Sequence, residues 1–287
     1  MKIAITGAGG LLGHALALIF AERHAVHALT RAQADITDTE QVRACFSAIL
    51  PDVVIHSAAI PDVDAAESDP AEAFRVNVHG TRHVVEAARA AGAAVAYISS
   101  DAVFDGAKET PCLETDPANP VTVYGRTKLR GEQLTAALPG YWIFRISVLF
   151  GPGKINFVDK ALRALARGEE YVAASDQVGT TTYTLDAART MRDLIESGRC
   201  GLYHVANQGA GSRVDLARRA AEIAGLDPGK VIGKPSSQMG RRAVRPKYVV
   251  MAFDVLKRAG CALPRPWPEA LEEYVRSLPS ARPSAAR

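Results

Sequence analysis

The chain contains little cysteine, with four in 287 residues, all far apart and none in a Cys-x-x-Cys pair. This scarcity argues against a disulfide framework and favours reduced thiols in a cytoplasmic protein. Long hydrophobic runs are also missing, since no stretch approaches the roughly 20 apolar residues that span a bilayer. Met1 leads directly into an apolar strand without a charged leader, so we expect neither a secretory signal nor contact with a membrane.

An excess of one charge sign is missing as well. The formal net charge is only +3, and the two signs are interspersed along the chain. This balance argues against nucleic acid as a partner, and the basic segment 241–247 is too isolated to change that conclusion. His79 and His83 are four residues apart, a spacing that can bind zinc, but no third ligand accompanies them. We therefore predict no metal site.

Apolar strands alternate with helical stretches through the first half of the chain. This order predicts an α/β fold, a Rossmann-type doubly wound parallel sheet. We expect an NAD(P)-binding domain over residues 1–150 and a smaller, interleaved substrate-binding α/β region over 151–287, whose end from Pro279 onwards should fray. Predicted strands are 2–6, 25–29, 53–55, 94–99, 141–146 and 201–205. Predicted helices are 11–23, 39–49, 70–91, 122–137, 156–167, 184–197 and 212–225.

A glycine-rich loop follows the first strand, at residues 7–13. Glycines at the start of a helix allow the backbone to approach a pyrophosphate, whose charge then lies at the helix N-terminus. The spacing is Gly-x-x-Gly-x-x-Gly, although Gly9 also supplies the Gly-x-Gly-x-x-Gly of ordinary dehydrogenases. Cofactor contacts are predicted from Gly7, Gly10, Leu11, Leu12 and Gly13.

The end of the second strand normally reads the adenosine ribose of the cofactor. An acidic residue there favours a free 2′-hydroxyl, whereas an arginine accommodates a 2′-phosphate. This chain has Arg31 and no acid at that point, which favours NADPH and leaves NADH as the alternative. Asp35 could either cap the next helix or accept a hydrogen bond from adenine. The predicted cofactor set also includes Ile36, together with the small residues Ser57, Ala58 and Ala59 after the third strand.

A Tyr-x-x-x-Lys motif, Tyr124 to Lys128, follows a strand that ends in Ser100. One such motif is expected by chance in about one chain in four of this composition, so its context decides its meaning. On a helix both side chains share a face, and the lysine ammonium together with an oxidised nicotinamide should lower the pKa of the tyrosine from about 10. Ser100, Tyr124 and Lys128 are therefore the predicted catalytic residues of a carbonyl reductase that takes hydride from a nicotinamide.

With these motifs the chain resembles the extended short-chain dehydrogenases/reductases, and within them the dTDP-4-dehydrorhamnose reductase family. The likeness runs from Met1 to about Leu271, and its most specific part is the Ser-x-Asp-x-Val-Phe-Asp-Gly segment at residues 99–106. Further matching segments are 65–70, 76–81, 119–120, 145–147, 176–179 and 245–246.

The resemblance implies reduction of the 4-keto group of a nucleotide-linked deoxysugar with NAD(P)H. It assigns catalysis to the Ser/Tyr/Lys set, and it places Asn77, the family's structural asparagine, beside the cofactor residues. It also implies that Gln177 and Arg245 bind the nucleotide-sugar, with the arginine suited to the diphosphate. The full predicted substrate set is Ser100, Asp101, Ala102, Val148, Asn156, Gln177 and Arg245.

Three positions depart from the family pattern. Ala102 stands where the family usually has tyrosine, Val148 where it has tryptophan, and Thr181 where it has proline. The loss of two aromatic walls predicts a roomier pocket, so a 4-keto sugar nucleotide other than dTDP-4-dehydrorhamnose is an open alternative.

Two other functions remain alternatives. One is a non-catalytic NADP-binding regulatory subunit, like the methionine adenosyltransferase subunit in the same family, although such a protein has no need of the intact catalytic set. The other is a sugar-nucleotide epimerase or dehydratase, although Ala102 does not complete the carboxylate pair that dehydratases place beside the serine. A homodimer is compatible with the base rate of oligomers.

Overall fold

The computed structural model describes residues 1–279, so most of the segment expected to fray lies outside the described residues. Within them, a six-stranded parallel sheet has the spatial order β2-β1-β3-β4-β5-β9. This order confirms the predicted doubly wound sheet. The strands of the chain are β1 (Lys2–Thr6), β2 (Ala25–Leu29), β3 (Val53–His56), β4 (Ala94–Ser100), β5 (Tyr141–Ile146), β6 (Val148–Phe150), β7 (Tyr171–Ala174), β8 (Val178–Tyr183), β9 (Gly201–His204), β10 (Asn207–Ser212), β11 (Val231–Lys234) and β12 (Tyr248–Val249).

Helices cover both faces of this sheet. On one face α1 and α8 bury Leu16, Met191 and Leu194, and on the other α2 and α5 bury Phe46 and Val84. The near-continuous apolar runs of the strands follow from this double coverage. The helices are α1 (Leu11–Ala21), α2 (Thr39–Ile49), α3 (Val63–Ser68), α4 (Pro70–Phe74), α5 (Thr81–Ala90), α6 (Val123–Thr135), α7 (Phe157–Ala166), α8 (Thr184–Glu196), α9 (Arg213–Ile223), α10 (Asp254–Arg258) and α11 (Trp267–Ser277).

The second half of the chain contributes to both parts of the fold. Strands β10, β8 and β12 form a second sheet, with β6 paired to β8, while β7 pairs with β11. Yet β9 is the edge strand of the first sheet, and α8 covers α1. The two parts are therefore interleaved, and the carboxyl ends of β4 and β5 face the second sheet.

The helical stretch expected over residues 70–91 is present, but its middle is π-helical. Helix α4 ends at Phe74, a π-helical segment follows over Arg75–Gly80, and only then does α5 begin. Such π segments insert an extra residue into a turn and are frequent at functional sites. Here the segment carries Asn77, whose side chain is buried against the catalytic region.

Candidate active site

The glycine loop forms a tight turn between β1 and α1. Gly7 has φ +72°, and a Cβ there would lie 2.6 Å from the Ala58 nitrogen. A Cβ on Gly13 would lie 2.2 Å from the Gly7 oxygen, so only glycine allows this packing of turn, strand and helix. Gly10 precedes α1, and no side chain caps the helix N-terminus and no acid lies in its first turn. These features fit the phosphates of a dinucleotide, which α1 would receive at its positive end.

Two other predicted cofactor residues lie at the ribose end of this site. The Ala8 N–H donates to the Leu29 oxygen (3.1 Å), which holds the loop beside the end of β2. Just beyond that point, Arg31 Nε lies 3.0 Å from Asp35 Oδ2. Hydrogen bonds from Thr37 and this arginine lower the pKa of Asp35 to about 2, against its desolvation. Asp38, not Asp35, caps α2, so the capping alternative for Asp35 was wrong.

Several predicted cofactor residues near the glycine loop contact the loop itself or the hydrophobic core. Ser57, Ala58 and Ala59 follow β3 at half-buried positions, where Ala58 closes on Gly7. Leu12 and Ile36 are only 3% and 5% exposed. Their side chains pack in the core, so a cofactor contact at either residue is expected from its backbone. Leu11 is half-buried at the first position of α1.

Asn77 uses all its side-chain polar atoms within the protein. Its Oδ1 accepts from the Ile60 N–H (2.8 Å), and its Nδ2 donates to the Ile60 oxygen (3.2 Å) and to Thr127 Oγ1 (3.1 Å). The asparagine therefore ties the segment after β3 to α6. Direct cofactor binding by Asn77 is corrected to a structural role, because the side chain is buried and fully bonded.

The predicted catalytic residues converge at the end of β4. Ser100 is its last residue, and Tyr124 and Lys128 lie one turn apart on α6. Two glycines of α6 allow this close approach. A Cβ on Gly125 would lie 2.1 Å from the Ala102 oxygen, and one on Gly131 would lie 2.1 Å from the Tyr97 hydroxyl.

A buried ion pair fixes α6 on the sheet below the catalytic residues. Arg145 on β5 donates from Nε and Nη2 to the two carboxylate oxygens of Glu132, each at 2.8 Å. Ser99 donates to the same carboxylate. Bidentate pairs of this kind fix geometry as well as charge. Burial lowers the pKa of Lys128, and the charge of Glu132, one turn beyond it, partly opposes that lowering.

Burial dominates the electrostatics of the predicted catalytic residues. Burial raises the pKa of Tyr124 to about 12, although a hydrogen bond with Ser100 lowers it. Burial also lowers the pKa of Lys128 to about 7, and its Nζ lies 4.2 Å from the centre of the Tyr97 ring. The lowering of the tyrosine pKa by Lys128 together with an oxidised nicotinamide stays a prediction. The phenol is protonated at neutral pH, the form in which it can donate a proton.

A cavity of about 360 Å³ opens beside these groups, between the carboxyl ends of β4 and β5 and the second sheet. It brings together most of the predicted substrate residues, which are Ser100, Asp101, Ala102, Val148, Gln177 and Arg245. The structure adds Ser147, Thr180 and Arg213, which the sequence analysis missed. Arg213 directly follows the helix cap Ser212, so its position at the cavity depends on β10 and α9 meeting there.

Asn156 is the predicted substrate residue that does not line the cavity. Its Oδ1 accepts from the Val158 N–H (2.9 Å), and its Nδ2 donates to the Gly151 oxygen and the Tyr274 hydroxyl. Asp159 completes a capping box at the start of α7. Asparagine is a favoured cap residue, and this position corrects the substrate assignment.

Two arginines line the cavity, Arg213 and Arg245, and a third, Arg241, contacts a lining residue. Arg245 forms a bidentate pair with Asp64 of α3, with its Nη2 2.8 Å from Oδ2. Arg241 donates to Gln177 (3.2 Å). Arg213 stacks over the Phe157 ring at 4.6 Å, and within residues 1–279 it has no ion-pair partner. Burial lowers the pKa of Arg213 to about 10, so it is still a cation at neutral pH.

The part of the chain that the structure describes gives little support to a metal site or to a membrane-spanning helix. No group of three metal-ligating side chains occurs there, and the ring of His83 contacts the Ile36 oxygen (2.9 Å). Over the same residues, none of the helices combines the length and the apolar character that crossing a bilayer requires.

Comparison with known proteins agrees with this geometry. Residues 1–279 match the family described as RmlD substrate binding domain. A dTDP-4-dehydrorhamnose reductase from Streptomyces griseus is 40% identical over 283 residues, covering 96% of this chain and 93% of that protein. The protein of the same name from Mycolicibacterium smegmatis is 38% identical over 285 residues, covering 98% and 86%.

Among solved structures, the dTDP-4-dehydrorhamnose reductase from Bacillus anthracis in complex with NADP aligns with a TM-score of 0.93. It is 32% identical, and the alignment covers 96% of this chain and 99% of that one. The family match spans nearly the whole chain, and both relatives share well over 30% of their residues with it. The chain therefore belongs to the dTDP-4-dehydrorhamnose reductase family, within the extended short-chain dehydrogenases/reductases.

Proposed function

We propose that the chain is an NADPH-dependent reductase of the 4-keto group of a nucleotide-activated deoxysugar, as the relatives named dTDP-4-dehydrorhamnose reductase imply. One observation carries the proposal: Ser100 and Tyr124 line the cavity, and Lys128 lies one turn beyond Tyr124 on α6. A binding subunit would need the loop but not the proton-donating set.

The cofactor fits the N-terminal loop. Gly7, Gly10 and Gly13 would hold the pyrophosphate against α1, and Arg31 would contact the 2′-phosphate. When bound, NADPH supplies the hydride for carbonyl reduction.

The chain's own residues supply the proton and the orientation. Tyr124 is protonated at neutral pH and donates its phenolic proton to the carbonyl oxygen as that oxygen gains negative charge. Ser100 orients the same oxygen by hydrogen bonding. Lys128, with a pKa of about 7, exchanges between its charged and neutral forms near neutral pH. It can therefore stabilise the tyrosinate that forms.

Two positions of the cavity wall carry small aliphatic side chains where the family has aromatic ones. The cavity therefore favours a sugar that needs no aromatic contact at these positions. Ala102 and Val148 both line it and leave space there. Because Arg245 is already paired with Asp64, we assign the diphosphate first to Arg213, which lines the cavity, and to Arg241, which contacts the lining residue Gln177. The substrate class is a 4-keto-6-deoxysugar linked to a nucleoside diphosphate.

The test is oxidation of NADPH with dTDP-4-dehydrorhamnose and a panel of other 4-keto sugar nucleotides. Tyr124→Phe should lower kcat by about 10²- to 10⁴-fold, because it removes the acid, while the Kd for NADPH stays unchanged. Tyr141→Phe, on a half-buried tyrosine at the start of β5, is the matched control. Full turnover in Tyr124→Phe would contradict the assignment.

The same assay separates the alternatives. NADPH binding without turnover on any panel member would favour a regulatory subunit. Interconversion of sugars without net NADPH consumption would favour an epimerase.

A further inference from the structure

The hydroxyl of Ser147 has two oxygen neighbours but only one proton. Its Oγ lies 2.5 Å from Asp101 Oδ2 and 2.6 Å from the Thr180 carbonyl oxygen. Two oxygens this close need a proton between them, because otherwise their negative charges repel. The carbonyl has no proton to give, so the serine proton belongs to the contact with Thr180. The contact with Asp101 then contains a proton only if the carboxyl group carries it.

We infer that Asp101 is a neutral carboxylic acid that donates from Oδ2 to Ser147, and that its neutrality leaves the Ser100 hydroxyl free to donate to the substrate oxygen. The first half of this inference concerns the protein alone, and the second half rests on the proposed function. Asp101 is therefore a positioning residue that acts through Ser100.

The link to catalysis is the other oxygen of the same carboxyl group. Ser100 Oγ donates to Asp101 Oδ1 at 3.0 Å and accepts from the Ala102 N–H at 3.2 Å. The single proton of Ser100 therefore points at Asp101 before a substrate arrives. An ionised carboxylate forms roughly twice as strong a hydrogen bond as a neutral acceptor. It would hold this proton in competition with a ketone, whereas a neutral carboxyl oxygen releases it.

The surroundings of Asp101 favour the neutral form. Burial raises the pKa of Asp101, while the contacts with Ser147 and Ser100 and the charge of Arg213 act against that rise. The other titratable groups close enough to interact with it are Tyr124 on α6 and Cys112, both of which are uncharged at neutral pH. Among the described residues no cation forms an ion pair with Asp101, so nothing compensates fully for burying its charge.

The protonation of Asp101 determines how activity changes with pH. Ser100 is free only while Asp101 is protonated, so this part of the activity is present at low pH. It is lost as pH rises through the raised pKa of Asp101. Lys128, with a pKa of about 7, also titrates and contributes its own pH dependence. Only a variant that removes the Asp101 titration can separate the two groups.

Three variants test the role in catalysis. Asp101→Ala should lower kcat/KM by about tenfold, the equivalent of one hydrogen bond. Asp101→Asn should recover most of that loss, because its amide can donate to Ser147 and its oxygen can accept from Ser100. Its kcat/KM should also lack the decline with rising pH that deprotonation of Asp101 causes in the wild-type protein. Asp254→Asn, on an exposed aspartate of α10, should change neither the rate nor the pH profile.

Infrared difference spectroscopy tests the proton directly, without substrate. The spectrum of the wild-type protein minus Asp101→Asn at pH 7 should contain a protonated-carboxyl C=O band, which wild type minus Asp254→Asn lacks. The subtraction also removes any band from Glu114, another buried carboxyl group with a raised pKa.

The outcomes distinguish a failure of the inference about Asp101 from a failure of the proposed function. A missing band, or an Asp101→Asn variant as impaired as Asp101→Ala with an unchanged pH profile, overturns the inference. If the wild-type protein reduces none of the panel sugars, the proposed function fails, but the infrared band still decides whether Asp101 is neutral.

Discussion

At the scale of single residues, Arg31 shows how an exposed side chain can be oriented for a ligand. Its side chain is 77% exposed, and its Nε is held by Asp35. Within residues 1–279 its terminal nitrogens make no hydrogen bond, so the ion pair orients the guanidinium and leaves its outer edge open. An arginine presents donors in a fixed fork that matches phosphate geometry.

We therefore expect Arg31→Ala to lower kcat/KM with NADPH by about 10- to 100-fold, the loss of a hydrogen bond to a charged group. The value with NADH should stay the same. Arg43→Ala, on an exposed arginine of α2 paired with Glu40, is the control and should affect neither cofactor. Steady-state kinetics with both cofactors measure the effect. Equal losses with NADPH and NADH would contradict a contact with the 2′-phosphate.

Residue identities could be predicted where the motif itself fixes the geometry. A Tyr-x-x-x-Lys on a helix places both residues one turn apart, and in the structure Tyr124 lines the cavity with Ser100 while Lys128 lies over the Tyr97 ring. The sequence could not show that Arg245 pairs with Asp64, because 181 residues separate them. Nor could it distinguish Asn156 as a helix cap from a cavity residue, since both roles suit asparagine.

At the scale of elements, the first half of the chain was predictable because its strands are buried on both faces. The expected strand 141–146 matches β5, and the expected 94–99 is one residue shorter than β4. The strands β6, β7, β8, β10, β11 and β12 were missed. They have six residues or fewer, β8 is rich in threonine, and their partners are distant along the chain, so no local apolar pattern marks them.

The turn before α1 gives a prediction at the same scale. Gly13→Ala places a Cβ 2.2 Å from the Gly7 oxygen, and relieving that clash costs about 1–3 kcal/mol. We expect a lower Tm and a Kd for NADPH raised about tenfold or more. Gly9→Ala is the matched control, because no heavy atom lies within 4 Å of its Cβ.

Fluorescence titration with NADPH and thermal melts measure both variants. If Gly9→Ala were the more damaging change, the loop would use the ordinary Gly-x-Gly-x-x-Gly spacing instead of Gly7, Gly10 and Gly13.

At the scale of the whole molecule, the chain crosses between its two parts repeatedly. Strand β8 of the second sheet continues directly into α8, which buries Met191 and Leu194 on the first sheet. Asp186 on α8 also binds Arg265 (2.9 Å) and Asn207 (2.9 Å), which hold the C-terminal segment and β10. A boundary near residue 150 divides the sequence, but it does not divide the hydrophobic core of the first sheet.

We therefore expect a single unfolding transition, and the two tryptophans allow a test because each lies in a different part. Trp142 is buried on β5 of the first sheet, with its indole bonded to the Arg199 oxygen (2.8 Å). Trp267 begins α11 and donates to the Ala210 oxygen (3.3 Å) beside the second sheet. Trp267→Phe leaves emission from Trp142 alone, and Trp142→Phe leaves emission from Trp267 alone.

In each variant the urea midpoint from fluorescence should equal the midpoint from far-ultraviolet circular dichroism of the same protein, since coincident probes indicate two-state unfolding. Saturating NADPH should then shift both midpoints upwards together, because ligand binding to the native state stabilises every part that unfolds with it. If Trp267 reported an earlier transition that NADPH left unchanged, the C-terminal region would be an independent domain. In that case the shared α8 and β9 would not couple the cofactor site to the cavity walls.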